Sequence, residues 1–201
     1  MLRAVMSLVV VVSVSADALA QTQVVRFARL WDGARTIEDA VVTIENDRIA
    51  RVDSGDSAVP PDASVIDLRP YTGIPGLIDL HTHMTYYWDR QPGTRPLGQR
   101  RRPAETVFLA QENARRTLES GVTTVRDLGA SNDTDLSMRD LIARGSMKGP
   151  RMIVSGQGVS RRDVPQADPG ALRAVTDARL AAGSGWSKGC ASRGGYASLA
   201  T

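Results

Sequence analysis

Three observations on the sequence predict an α/β chain: a small β domain followed by part of a (β/α)8, TIM-like barrel. Residues 24 to 73 hold only short apolar or alternating runs separated by turn residues, with nothing of helical length. After Pro75 the pattern changes to strand-like runs that alternate with amphipathic stretches of helical length. Each of those stretches closes at a glycine, and two of them open at a proline. Repeated βα units imply a parallel sheet, and short strands at this spacing suit a barrel. About four strand candidates are present where a complete barrel has eight, so the expected barrel is partial.

The first twenty residues differ in kind from the rest. "MLRAVMSLVVVVSVSADALAQTQ" has an early positive charge at Arg3, an apolar stretch over residues 4 to 14, and a small-x-small ending at Ala18, Leu19 and Ala20. This is the layout of a secretory signal peptide over residues 1–20, and its apolar part is too short for a comfortable membrane span. The mature chain is expected to start near Gln21 and to work in a secreted or periplasmic setting.

Residues 21–73 are expected to form the N-terminal part of a small antiparallel β-sandwich domain. "VVRFARLWDG" ends at a turn signal, "DAVVTI" alternates apolar and polar, "ENDR" turns the chain into "IARV", and "SVIDL" follows the break at Pro60 and Pro61. Residues 74–201 are expected to form the N-terminal half of the barrel. Its strands are "GLIDLHTH", "VTTVRDLG", "PRMIVSG" and, more weakly, "GWSKGC". Its helices are "PAETVFLAQENARRTLES", with Pro103 suited to the first turn and Gly121 to the end, then "DTDLSMRDLIAR", stopped by Gly145, and "DPGALRAVTDARLAA", between Pro169 and Gly183.

Composition narrows the function. Hydrophobic residues at 42% and charged residues at 23% are those of a soluble globular protein. The balance of 25 Lys+Arg against 22 Asp+Glu leaves only +3, so the pI near 9.4 reflects a small excess and no dense basic field. Nucleic acid is therefore not expected as a partner, and the run Arg100, Arg101, Arg102 reads as a solvated loop. The one cysteine, Cys190, forms no internal disulfide and has no histidine left over for a nucleophilic dyad. The glycines of "SGQG" lack the Lys-Ser/Thr continuation of a phosphate loop.

The chain has two histidines, His81 and His83, and both fall at the end of the apolar run "GLIDLHTH". In a strand, Asp79, His81 and His83 share one face while Leu80 and Thr82 share the other. Leu80 and Thr82 suit the helix-packed side, which turns both imidazoles toward the barrel axis at the strand's C-terminal end, where barrel active sites lie. Two neutral imidazoles at that reach can bind one transition metal. Asp79 could accept a hydrogen bond from a ligand or serve a structural role. Asp127, near the end of the second strand, could approach the same pocket.

These stretches together resemble a known family. "PGLIDLHTHM", preceded by "VVTIENDRIARVD" and followed by "ESGVTTVRDLGA", looks like the amidohydrolase superfamily of metal-dependent hydrolases. "GPRMIVSGQGVS" and "SRGGYASL" resemble the branch of imidazolonepropionase-like enzymes and Xaa-Pro dipeptidases. The resemblance implies that His81 and His83 bind the more buried metal. It also implies that Lys188 is a fourth-strand lysine which, once carboxylated, bridges two divalent ions, zinc by expectation. A metal-activated hydroxide would then attack a small-molecule or dipeptide substrate at an amide, peptide or cyclic-amide C–N bond. Deamination and lactone hydrolysis are alternatives on the same barrel.

The sequence departs from this family pattern after the second histidine. No histidine follows His83 and the sequence stops at Thr201, so the histidine ligands of the fifth and sixth strands and the aspartate of the eighth are not expected to have a counterpart. Ser187, Gly189 and Cys190 interrupt what should be an apolar strand, as a pair of compensating frame errors would. The expectation is thus a truncated member of the family, with a non-catalytic fragment or binding module as the alternative.

Overall fold

The computed structural model of the chain describes residues 22–87, 102–159, 168–185, 187–191 and 195–199. The expected signal peptide lies outside these residues, as do Arg100 and Arg101. The chain divides into two compact units, Met1–Pro75 and Gly76–Thr201.

The first unit is one five-stranded sheet. Strands β1 (Gln23–Trp31) and β2 (Thr36–Glu45) form an antiparallel hairpin, closed by the Asp32 carboxylate accepting from the amides of Ala34 and Arg35 at 2.9 Å each. Strand β3 (Arg48–Ser54) pairs with β2 across Asn46 and Asp47, both at positive φ. Two left-handed residues make the tight hairpin turn whose twist matches the strands, and Asn and Asp tolerate that conformation better than other side chains. Val24, Ala40, Val41, Val42, Thr43 and Gly73 are the buried residues of this sheet.

Strands β4 (Ser64–Asp67) and β5 (Thr72–Gly73) correct the expectation of an antiparallel sandwich. Both run parallel to β1, with Val24 opposite Val65 and Arg29 opposite Thr72, in the same sheet as β1 to β3. Residues 55–63 separate β3 from β4, too many for a hairpin turn. They return the chain to the start of β1, where the Ser64 amide donates to the Thr22 carbonyl, so β4 must run along β1 and not against it. Pro60 and Pro61 lack amide donors and keep that return out of the ladder.

The second unit alternates strand and helix. Strands β6 (Leu77–Thr82), β7 (Val122–Asp127) and β8 (Arg151–Val154) form a parallel sheet in the order β6-β7-β8. Helix α1 (Pro103–Glu119) joins the first two, and α2 (Thr134–Ala143) joins the second and third. Helix α3 (Pro169–Ala181) follows, its first turn capped by Asp168 accepting from the Ala171 amide at 2.6 Å. Gly121, Gly145 and Gly183, the predicted stops, all adopt positive φ just past their helices. The core joins Ala110 and Ala114 of α1, Val125 of β7, Met138 of α2, and Met152 and Val154 of β8, with Met84 beside them.

Two further expectations are corrected in this unit. "GWSKGC" does supply a strand, β9 (Ser187–Ala191), but it pairs antiparallel with β10 (Gly195–Leu199), and among the described residues the parallel sheet has three strands. The chain does arrive beside β8, where the Gly185 amide donates to the Val154 carbonyl. Beyond that point Ser187, Gly189 and Cys190 offer little apolar surface to bury under a helix, and pairing with a segment three residues away closes a short loop at small entropic cost. The second correction concerns Leu80, expected on the helix-packed side. It is 56% exposed, and Ile78 on the same face is 64% exposed. Leu77, on the other face, is 52% exposed, so among the described residues β6 lacks the covering layer that a parallel strand needs over each face.

Candidate functional site

His81 is the penultimate residue of β6, and His83 lies one residue past its end. Their ring centroids are 5.5 Å apart with an interplanar angle of 64°. His81 lies in β6 between the paired residues Asp79 and Thr82, where the register with β7 shifts, and the Asp79 carboxylate accepts from its backbone amide at 2.9 Å. Asp79 therefore supports the strand backbone at His81, a structural role.

His83 is held by other means. Its Nδ1 lies 3.0 Å from the Gly129 carbonyl, in the loop after β7, and its ring stacks on Tyr86 at 4.1 Å and 10°. A neutral imidazole facing a carbonyl carries its hydrogen on the facing nitrogen, which puts the lone pair on Nε2. Gly129 has φ +142°, a backbone conformation that strains any residue with a Cβ.

Asp127, the last residue of β7, approaches this loop through its backbone and not through the pocket. It is fully buried, opposite Thr82 in the parallel ladder. Its Oδ2 accepts from the Met84 amide at 2.6 Å and from the Thr82 hydroxyl at 3.4 Å, while its Oδ1 faces the Gly129 amide at 3.4 Å. Burial pushes this carboxyl up to about 7 against the three donors that favour the charged form, and the carboxylate of Asp135 adds to the rise. Asp135, in the first turn of α2, is also buried and raised by desolvation. It accepts from the amides of Gly156 at 2.8 Å and Leu136 at 2.9 Å and so anchors the loop after β8.

Sequence reasoning missed Asn113 and Tyr86. Asn113 projects from α1, and its Nδ2 donates to the carbonyls of Met84 and Tyr86, both at 2.8 Å. An asparagine in the middle of an otherwise amphipathic helix was the available signal, since such a residue is neutral to unfavourable there without a tertiary partner. A cleft of about 350 Å³ opens here, lined by Asp79, His81, His83, Tyr86, Asn113 and Arg116 among others.

Two imidazoles sharing one metal at about 2.1 Å with a tetrahedral spread have centroids roughly 5 Å apart, so the observed pair fits one ion. Among the described residues no group of three or more His, Cys, Asp and Glu side chains converges on a point. The side chains of Lys188 and Cys190 lie outside the described residues. The backbone of Lys188 is opposite Ser198 in the hairpin.

Residues 72–195 match the family model described as the Amidohydrolase family. The chain belongs to this family. The amidohydrolase is 33% identical over 66 residues to a dihydroorotase of Syntrophus aciditrophicus (strain SB), a match covering 32% of this chain and 14% of that protein. It is 34% identical over 61 residues to an imidazolonepropionase of Streptococcus gordonii, covering 29% of this chain and 14% of that one. Among solved structures, a Xaa-Pro dipeptidase with methionine bound in its active site superposes with a TM-score of 0.72 at 23% identity, over 84% of this chain and 47% of the dipeptidase. At that identity the likeness shows a shared fold. The amidohydrolase thus spans about half the length of the solved structure it matches, and the aligned segments are a seventh of the curated relatives. Among the described residues no helix is long and apolar enough to cross a membrane.

Proposed function

We propose that this amidohydrolase belongs to a metal-dependent hydrolase of C–N bonds, with His81 and His83 as two ligands of one divalent ion. The observation that carries the reading is the pair of rings 5.5 Å apart at a strand end, the second oriented by the Gly129 carbonyl so that Nε2 has the lone pair. A divalent ion held there, zinc by expectation, supplies a Lewis acid that polarises the scissile carbonyl and makes water nucleophilic at neutral pH. The chain's own residues hold and aim the ligands: Asp79 and the β6 pairing on either side of it set His81, while Gly129 and the Tyr86 stack set His83. We assign Lys188, once carboxylated by carbon dioxide to a carbamate, to the bridging of a second ion, and the sheet β6-β7-β8 to the first strands of a (β/α)8 barrel.

The similarity to a Xaa-Pro dipeptidase and an imidazolonepropionase supports dipeptides ending in proline, or cyclic amides, as the substrate class. The leader-like residues 1–20 support export, and N-terminal sequencing of exported protein is expected to begin near Gln21; an intact Met1 would refute it.

The deciding experiment measures zinc bound per chain by equilibrium dialysis, together with hydrolysis of Xaa-Pro dipeptides. Binding that is lost in both His81→Ala and His83→Ala, accompanied by turnover, supports the proposal. Zinc uptake unaffected by either substitution refutes it. One weakly bound ion without turnover favours the second reading, a non-catalytic module, for which the absence of a third converging ligand among the described residues is the supporting observation.

A further inference from the structure

We propose that Asp127 and Asn113 are positioning residues that set the orientation of the His83 ring from behind the loop that carries it. The inference rests on the metal-ligand reading of His83 for its purpose, though not for its geometry.

His83 stands outside the β6 ladder, so nothing in regular secondary structure determines its backbone. The peptide unit that follows it is nevertheless tied at both ends. Its N–H, on Met84, donates to Asp127 Oδ2 at 2.6 Å, and its carbonyl, on His83, accepts from the Tyr86 amide at 3.0 Å. The next carbonyl, on Met84, accepts from Asn113, whose same nitrogen holds the carbonyl of Tyr86, the residue stacked on the ring. Tying the peptide after His83 sets ψ at that residue and with it the direction in which Cβ leaves the chain.

Asp127 also acts on the other contact of the ring. The ring's Nδ1 meets the carbonyl of Gly129, and the amide of Gly129 faces Asp127 Oδ1. One buried carboxylate therefore spans the backbone under His83 and the residue that receives its Nδ1–H. The hydrogen bonds of Asn113 given above, and those of Asp127 apart from the one from the Thr82 hydroxyl, are to main-chain atoms.

The test is direct because the chain has two histidines, so ring 15N signals are assigned with one variant, His81→Ala. In wild-type protein above the histidine titration range, His83 is expected as the single Nδ1–H tautomer. Asp127→Ala is expected to give mixed tautomers and to weaken zinc binding by about 10–100-fold, as loss of partners behind a ligand commonly does. Asn113→Asp keeps shape but aims oxygens at two carbonyls. It is expected to disturb His83 more than Asn113→Ala does, an order that simple space filling would not produce. Asp127→Asn keeps one acceptor and is expected to fall between wild type and Asp127→Ala.

Val125→Ala, a core substitution on the same strand, is the stability control and is expected to leave tautomer and zinc affinity unchanged. If it shifts them as much as Asp127→Ala does, or if Asp127→Asn and both Asn113 variants keep the wild-type tautomer, the proposal is overturned. Should wild-type protein bind no zinc, the metal-ligand reading fails, while the tautomer measurement still decides the positioning role.

Discussion

The buried carboxyl of Asp127 makes the stability of the metal-free protein fall where most proteins gain it. Its pKa is pushed up from an ordinary 3.8 to about 7, first by burial and then by the charge of Asp135. Between those two values the native state holds a proton that the unfolded chain has released, so stability declines as pH rises from about 4 to about 7 and levels off above. At about 1.4 kcal/mol per pH unit, a rise of roughly three units corresponds to about 4 kcal/mol, an upper figure since relaxation and water entry reduce it. Asp135, also raised by burial, adds in the same direction. Asp67 and Glu112, both lowered to about 2 by arginine partners, act in the opposite sense but below this window. Asp127→Asn removes the ionisation and retains one acceptor. Urea unfolding of both proteins in a chelator, from about pH 4 to about pH 8, is expected to show the wild type losing its advantage over the variant by a few kcal/mol across the range. A difference that stays flat with pH would refute the reasoning.

Three further outcomes follow from packing and capping. Gly76→Ala places a methyl group on the Thr123 side chain and is expected to destabilise the second unit by about 1–3 kcal/mol, read as a lowered urea midpoint. Met138→Ala, in the core, should cost about 2–5 kcal/mol, whereas Phe108→Ser on the same layer of helices should stay within about 0.5 kcal/mol because Phe108 is 71% exposed. Asp168→Ala removes the cap on α3 and is expected to cost about 1 kcal/mol, with helicity lost locally as seen by hydrogen exchange at Ala171 and Leu172.

The helices of the second unit were legible because their signals are local. Pro103, Pro169 and Asp168 at the starts, and Gly121, Gly145 and Gly183 at the ends, act within one turn of where they stand. The direction of β4 was not legible, since parallel or antiparallel pairing depends on where a nine-residue return lands and short apolar runs carry no sign of it. β9 misled for a related reason: its position after α3 suggests the next parallel strand, while its small residues leave the choice to a nearby pairing partner. At the site, the closeness of His81 and His83 at the end of an apolar run was legible, but the register shift between Asp79 and Thr82 and the exit of His83 from β6 mean that no strand period sets their rings. The roles of Asn113 and Asp127 were not legible, because each meets the Met84 loop from a residue 29 or 43 positions away.

The difference between the two histidines accounts for the polar groups buried around them. His81 belongs to β6, where pairing with β7 at Asp79 and Thr82 brackets its backbone and one exposed carboxylate accepts from its amide. His83 has left the strand, and a loop backbone of that kind would wander unless its amides and carbonyls met partners. The partners here are side chains from α1 and β7, and one of them is a carboxylate that burial destabilises in its charged form. A valine or leucine at position 127 would continue the buried face of Val125 and spare the fold that cost, but it would leave the Met84 amide without an acceptor and the Gly129 amide without the carboxylate it faces. Sites where a sequence breaks its own apolar pattern at an energetic cost are where function is expected to act. In this amidohydrolase the break falls directly behind the histidine that regular structure does not hold.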